Sequence, residues 1–213
     1  MATDTANGNG RHKAAIRREN EAIILQAAEE LFAEFGLKGA TMDRIAKRAG
    51  VPKANVHYYF STKNDLYQRL IEDICDQWLQ AAMVFDQETD PATALSGYIS
   101  AKMDQSRARP HGSKVWANEI ISGAQFTHDY IAGHVREWLE GRELVIRRWI
   151  AEGKMDPIEP RPLMFMIWAI TQHFADFGRQ IEILNDDKPL DDEAFESAKE
   201  TVTRVILKGV GVA

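Results

Sequence analysis

The chain has 213 residues, enough for one sizeable core or for a small domain joined to a larger one. Its hydrophobic share of 45% is ordinary for a globular protein, and no apolar run approaches the roughly 18 residues a membrane span needs. One cysteine, Cys75, excludes a disulfide framework and a cysteine-based zinc site. The polar N-terminus lacks the apolar stretch of a secretion signal, so the expected location is cytoplasmic, with no membrane partner.

Charge is shared unevenly. Residues 1–63 carry 10 Lys and Arg against 7 Asp and Glu, whereas residues 64–213 carry 16 against 25. An acidic body repels phosphate, so any contact with a polyanion belongs to the basic head.

Residues 1–18 read as a flexible basic arm bearing Arg11, Lys13, Arg17 and Arg18. From Glu19 a helical stripe begins, with Ile24, Ala27, Ala28, Leu31, Phe32 and Phe35 on one face, and Gly36 is placed to end it. Thr41 is a fitting N-cap for a short second helix carrying Met42, Ile45, Ala46 and Ala49, which Gly50 stops. Pro52 restarts a helix where its missing N–H costs little. Two short helices around a glycine turn, backed by a third, make a helix-turn-helix. After Asn64 a long helix resumes through Leu66, Leu70 and Ile74. Further helices are expected at about 92–108, 113–122, 129–154, 162–184 and 192–208, with no strand pattern and no internal repeat. The fold class is all-α: the arm, a helix-turn-helix DNA-binding domain over 19–64, and a ligand-binding and dimerisation domain over 65–213.

In a helix-turn-helix the second helix enters the major groove, its first residues toward base edges. Here that helix offers Lys53, Ala54, Asn55, His57 and Tyr58 for base contact, while Val56 and Phe60, four apart, face inward. Asn pairs with adenine, Lys with guanine, and Ala touches a thymine methyl. Thr41, Tyr59 and Lys63 stand at element ends, suited to phosphates. The segment "AEELFAEFGLKGATMDRIAKRAGVPKANVHYYFSTKNDLY" resembles the DNA-binding head of the TetR family of bacterial repressors. Phe32, Gly36, Thr41, Ile45, Ala46, Gly50, Tyr58, Tyr59, Phe60 and Lys63 carry the match. Pro52, where the family favours a Ser or Thr cap, and His57, where it favours Tyr, depart from it. The resemblance implies a homodimer on a double-stranded operator, paired through its last two helices, with a small-molecule pocket in each body.

Within "FMIWAITQHFADF", Trp168, Gln172 and Asp176 lie four apart on one helix face. A buried, unpartnered amide costs about 1–3 kcal/mol, so Gln172 needs a partner. A carboxamide beside an indole complements a C=O next to an N–H, as in a pyrimidine base, and rejects molecules lacking that edge. The segments "LMFMIWAITQHFADFGRQIEIL", "YISAKMDQSR", "NEIISGA" and "KMDPIEP" are similar to the pyrimidine-utilisation regulators of the same family. That similarity implies uracil or thymine as effector. Chemistry nominates Trp168, Gln172 and His173 for the pocket, then Tyr67, Trp78, Trp116 and Glu119. The competing ligand is an acyl-CoA, a drug or an amino-acid derivative, which would need a larger, more apolar pocket. Six scattered histidines show no metal-ligand spacing, and no phosphate loop or nucleophile motif occurs. The expectation is therefore no enzyme, no metal and no cofactor.

Overall fold

The computed structural model describes residues 5–83, 85 and 89–212, with side chains from residue 15 onward. Among these the regular structure is helical, with no strand. The chain divides into two compact units, Met1–Ile71 and Glu72–Ala213.

In the first unit, α1 runs Thr5–Gly39 and so begins well before Glu19. Residues 5–18 carry no apolar stripe, which leaves periodicity silent, yet Ala14, Ala15 and the arginines are good helix formers. Arg17 and Arg18 are exposed; the side chains of Arg11 and Lys13 lie outside the described residues. Gly36 (φ 66, ψ 174) adopts a backbone conformation open almost only to glycine and bends the helix rather than ending it. Ile24, Ala27, Ala28, Leu31 and Phe32 are buried as their spacing predicts. Phe35 is not: one residue before the bend it stays exposed and carries the Arg44 guanidinium on its ring face.

Helices α2 (Met42–Ala49) and α3 (Lys53–Tyr59) follow. The extended Thr41 caps α2, its hydroxyl accepting from the Arg44 N–H at 3.3 Å. Gly50 (φ 67) closes α2 in the left-handed conformation. Pro52 takes the cap position of α3 and offers no side-chain acceptor there. α4 (Lys63–Gln80) then runs on through a 3-10 turn, Ala81–Met83. The units divide inside α4, past the expected boundary at residue 64, because Tyr67 sets its ring edge on Phe32 (5.0 Å between centroids).

The second unit contains α5 (Pro91–Ala108) and α6 (Pro110–Ile121), then a helical turn at His128–Tyr130 and a π turn at Ile131–Val135. After these come α7 (Arg136–Ala151), α8 (Pro160–Asp176), α9 (Gly178–Leu184) and α10 (Asp192–Gly209). Asp90 and Asp191 cap α5 and α10, each accepting an N–H at 2.8 Å. Two expected long helices are each interrupted. The one expected at 129–154 starts through the π turn, and the one at 162–184 breaks at Phe177 (φ −110, ψ 24), where α8 gives way to α9. The core gathers Tyr98, Ile99 and Met103 of α5, Leu139 and Trp149 of α7, Leu163 and Ile167 of α8, and Phe195 and Ile206 of α10. α8 is covered on one side only. Leu163, Met164, Ile167, Thr171 and Ala175 point inward, while Phe165, Met166, Ala169, His173 and Phe177 form an exposed stripe. Among the described residues no helix is long and apolar enough to cross a membrane.

Candidate nucleic-acid and effector sites

Burial sorts α3 by face. Val56 is fully covered and Phe60 nearly so, while Lys53, Ala54, Asn55, His57 and Tyr58 are exposed, Tyr58 at 73%. The five residues nominated for base contact are thus all exposed to solvent, on a short helix packed against α2. A helix of two turns is marginal alone, so its precision comes from Val56 and Phe60. Lys53 pairs with Asp43 at 2.9 Å, but both side chains are more than half exposed, so the pair is weak and exchangeable. Tyr59 is half-buried, edge-on to Tyr58.

The phosphate candidates have structural duties as well. Thr41 accepts as a cap, which leaves its hydroxyl proton free to donate elsewhere. Lys63 donates from Nζ to the carbonyls of Leu37 at 2.6 Å and Ala40 at 3.0 Å, clasping the end of α1. One of its three N–H groups remains.

The body residues nominated from sequence do not form one group. Tyr67 belongs to the first unit, buried on Phe32, because the stripe of α4 that carries it faces α1. His173 is exposed and stacks on Phe177, since its position on α8 is about 100° off the inward face. Glu119 is buried, and its carboxylate accepts the Phe126 N–H at 2.7 Å, tying down the loop after α6.

Trp78 and Trp116 do meet, edge to face at 5.6 Å, and the ammonium of Lys102 lies 4.3 Å from the Trp78 ring centroid. Lys102 was not foreseen, although its register was readable: Leu95, Tyr98, Ile99, Met103 and Ser106 are its buried neighbours on α5. It is only 3% exposed, with its ammonium over the Trp78 ring and the charge of Asp176 acting on it. Burying an ammonium costs several kcal/mol even after relaxation, and a desolvated cation–π contact returns about 2. The deficit appears in its titration: burial pulls Lys102 from 10.5 down to about 8, against the opposing pull of Cys75 and Asp176. Burial likewise pushes the Cys75 thiol up to about 12, so that group is neutral.

α8 closes the cluster from the other side. Trp168 donates its indole N–H to the Tyr98 hydroxyl at 2.8 Å. Two turns on, Asp176 accepts from the Ser113 hydroxyl, and burial raises its carboxyl above the ordinary range while Ser113 and Lys102 act to lower it. Gln172, half-buried, stands between them on the same face of α8. Lys102 and the Trp78–Trp116 pair thus form one cluster, and the charge of Asp176 on α8 acts on it. A separate concavity of about 350 Å³ has Ile131, Leu139, Phe165 and Trp168 as apolar walls, with Arg136 and Arg161 beside them.

Residues 24–70 match the model for bacterial regulatory proteins of the tetR family, and residues 71–213 match the C-terminal region of YcdC-like proteins. The chain is 34% identical to the HTH-type transcriptional regulator RutR of Escherichia coli (strain K12) over 210 residues, covering 99% of each chain. Solved structures of transcriptional regulators share its fold, two of which serve as examples. The ketosteroid transcriptional regulator KstR2 of Mycobacterium tuberculosis has a TM-score of 0.71 at 19% identity, over 89% of this chain and 94% of its own. FadR from Bacillus subtilis, in complex with stearoyl-CoA, has a TM-score of 0.67 at 19% identity, over 88% and 98%.

Proposed function

The chain belongs to the TetR family of bacterial transcriptional regulators, which bind DNA and are not enzymes, and from that premise we propose that it is a cytoplasmic, dimeric repressor of pyrimidine catabolism released from its operator by uracil or thymine. The observation that carries the effector is the buried ammonium of Lys102 over the Trp78–Trp116 pair, with half-buried Gln172 on the α8 face that bears Trp168 and Asp176. An acyl chain gains nothing from a buried ammonium or a carboxamide, whereas a ring with alternating carbonyls and N–H groups can hydrogen-bond to both. The 34% identity to RutR is counted over 99% of both chains, the body included, which supports the same reading.

In the head, Asn55, Lys53, Ala54, His57 and Tyr58 read base edges, while Thr41, Tyr59 and the remaining N–H of Lys63 hold phosphates. In the body, the exposed stripe of α8 (Phe165, Met166, Ala169) with Val205 of α10 is the dimer face. Two heads then engage two half-sites.

Isothermal calorimetry with uracil, thymine and dihydrouracil, on wild type and Gln172→Ala, tests the effector. Heat from the pyrimidines that drops at least tenfold in affinity in Gln172→Ala is expected. Silence from both proteins turns the reading over to a second one. That second reading rests on the 350 Å³ apolar concavity with its two arginines, which suits an acyl tail or another apolar carboxylate.

A further inference from the structure

Lys102 has a use that the fold alone does not supply. It stands in the apolar register of α5, 3% exposed, where a leucine or methionine would pack without loss. Its ammonium lies over the Trp78 ring. A charged donor kept in such a place gains most from an oxygen acceptor in direct contact. We propose that Lys102 is the anchor of the effector site, holding a ring carbonyl oxygen of the bound pyrimidine against its ammonium, with the Trp78 and Trp116 rings as walls. The proposal rests on the pyrimidine reading and adds the atom through which the ligand is chosen.

Binding through a cation has a signature that an apolar slot lacks. The free ammonium loses its proton near pH 8, and an oxygen seated on it holds the proton to higher pH. Effector affinity is therefore flat below pH 8 and falls above it. The other groups that could imitate this are limited. Asp176 of α8 and Cys75 of α4 act on Lys102; burial raises the Asp176 carboxyl above its ordinary range and pushes the thiol up to about 12. Tyr98 on the same helix and Tyr130 are both pushed above their usual value by burial. α6 contributes Ser113 and Glu119, each already hydrogen-bonded. The charges of α10 pair with other faces of α5, Asp192 with Arg107 and Lys199 with Asp104.

The test is calorimetry of wild type, Lys102→Met and Lys102→Gln with uracil, thymine, orotate and carbonyl-free pyrimidine, at pH 7 and pH 9. Between those values wild-type affinity for uracil is expected to fall about tenfold, the consequence of a group titrating near 8. Lys102→Met should bind uracil at least tenfold more weakly at pH 7 and lose the pH dependence, and carbonyl-free pyrimidine should bind neither protein. Should Lys102→Met fail to fold, Lys102→Gln and the wild-type pH series carry the same expectation. Equal uracil affinity in wild type and variant, or a pH response that survives in the variant, overturns the role of Lys102 and leaves the pyrimidine reading standing. Orotate binding lost in Lys102→Met, with uracil silent, supports the anchor and overturns uracil as effector. No heat from any of the four compounds on wild type overturns both.

Discussion

Single residues in this chain serve two demands, and the two can be measured apart. Lys102 burdens the free protein: its folded value of about 8 lies below the ordinary 10.5, so between those pH values the unfolded chain binds more protons than the folded one. Stability should therefore rise with pH across that window, and Lys102→Met should abolish the rise. A shift of that size corresponds to about 3 kcal/mol, and the variant should melt higher than wild type at pH 7 by differential scanning calorimetry. A variant that melts lower and keeps the rise would mean that Lys102 is well satisfied as it stands. Lys63 carries the opposite duty. Its ammonium clasps the Leu37 and Ala40 carbonyls, so Lys63→Ala should cost about 1–3 kcal/mol in urea unfolding besides any loss on DNA. Asn55 is exposed and free of structural work, so Asn55→Ala should leave unfolding unchanged. It should also weaken operator binding by about 1–3 kcal/mol, at one base position only, in a gel-shift series of single-base operator changes.

At the scale of elements, the recognition unit depends on how its short helices end. α2 is held by the Thr41 cap and by Gly50 at φ 67. Thr41→Ala should cost about 1 kcal/mol, and Gly50→Ala about as much through backbone strain, although a Cβ at Gly50 would meet nothing within 4 Å. Urea unfolding reads both, and a neutral Gly50→Ala would show the turn to be less constrained than its dihedral implies. These stops were legible in the sequence because glycine and threonine act locally, through dihedrals and one hydrogen bond. The all-helical fold was legible for the same reason, from apolar spacing. What was not legible is non-local. The break at Phe177 follows no proline and no glycine at the broken residue itself, and the π turn at Ile131–Val135 keeps an apolar pattern close to that of a plain helix. Tyr67 and His173 carry residue types that suit a ligand, yet Tyr67 serves the head's core and His173 the exposed stripe. Lys102 could have been found by asking why a lysine occupies an inward position. The ring beneath its ammonium could not, because that contact joins helices distant in sequence.

For the whole molecule the open question is what covers α8. Phe165 is 49% exposed, Met166 52% and Val205 59%, on two helices that otherwise bury their apolar faces. Scattered apolar residues are normal on a surface, but a stripe that repeats along one helix marks an interface. A stable interface buries about 1,200–2,000 Å² in total, with its most apolar residues at the centre. Phe165→Glu puts a charge at that centre, where it would be buried without a partner in the dimer yet solvated in a monomer. The variant should therefore sediment as a monomer at micromolar concentration while keeping its helical circular dichroism. Phe165 also borders the apolar concavity but touches neither Lys102 nor Gln172 in the described contacts, so uracil binding should persist. With one head instead of two, binding to a two-half-site operator should fall toward that of a single half-site. Uracil should then lose its leverage. In the dimer, its different affinity for the two states changes operator affinity by a coupling of about 1–3 kcal/mol, and a lone head has no second half-site against which that difference can act. Fluorescence anisotropy with labelled operator, with and without saturating uracil, separates the cases. A monomeric Phe165→Glu that still releases DNA on adding uracil would place the switch inside one chain, and the dimer would then supply affinity without control.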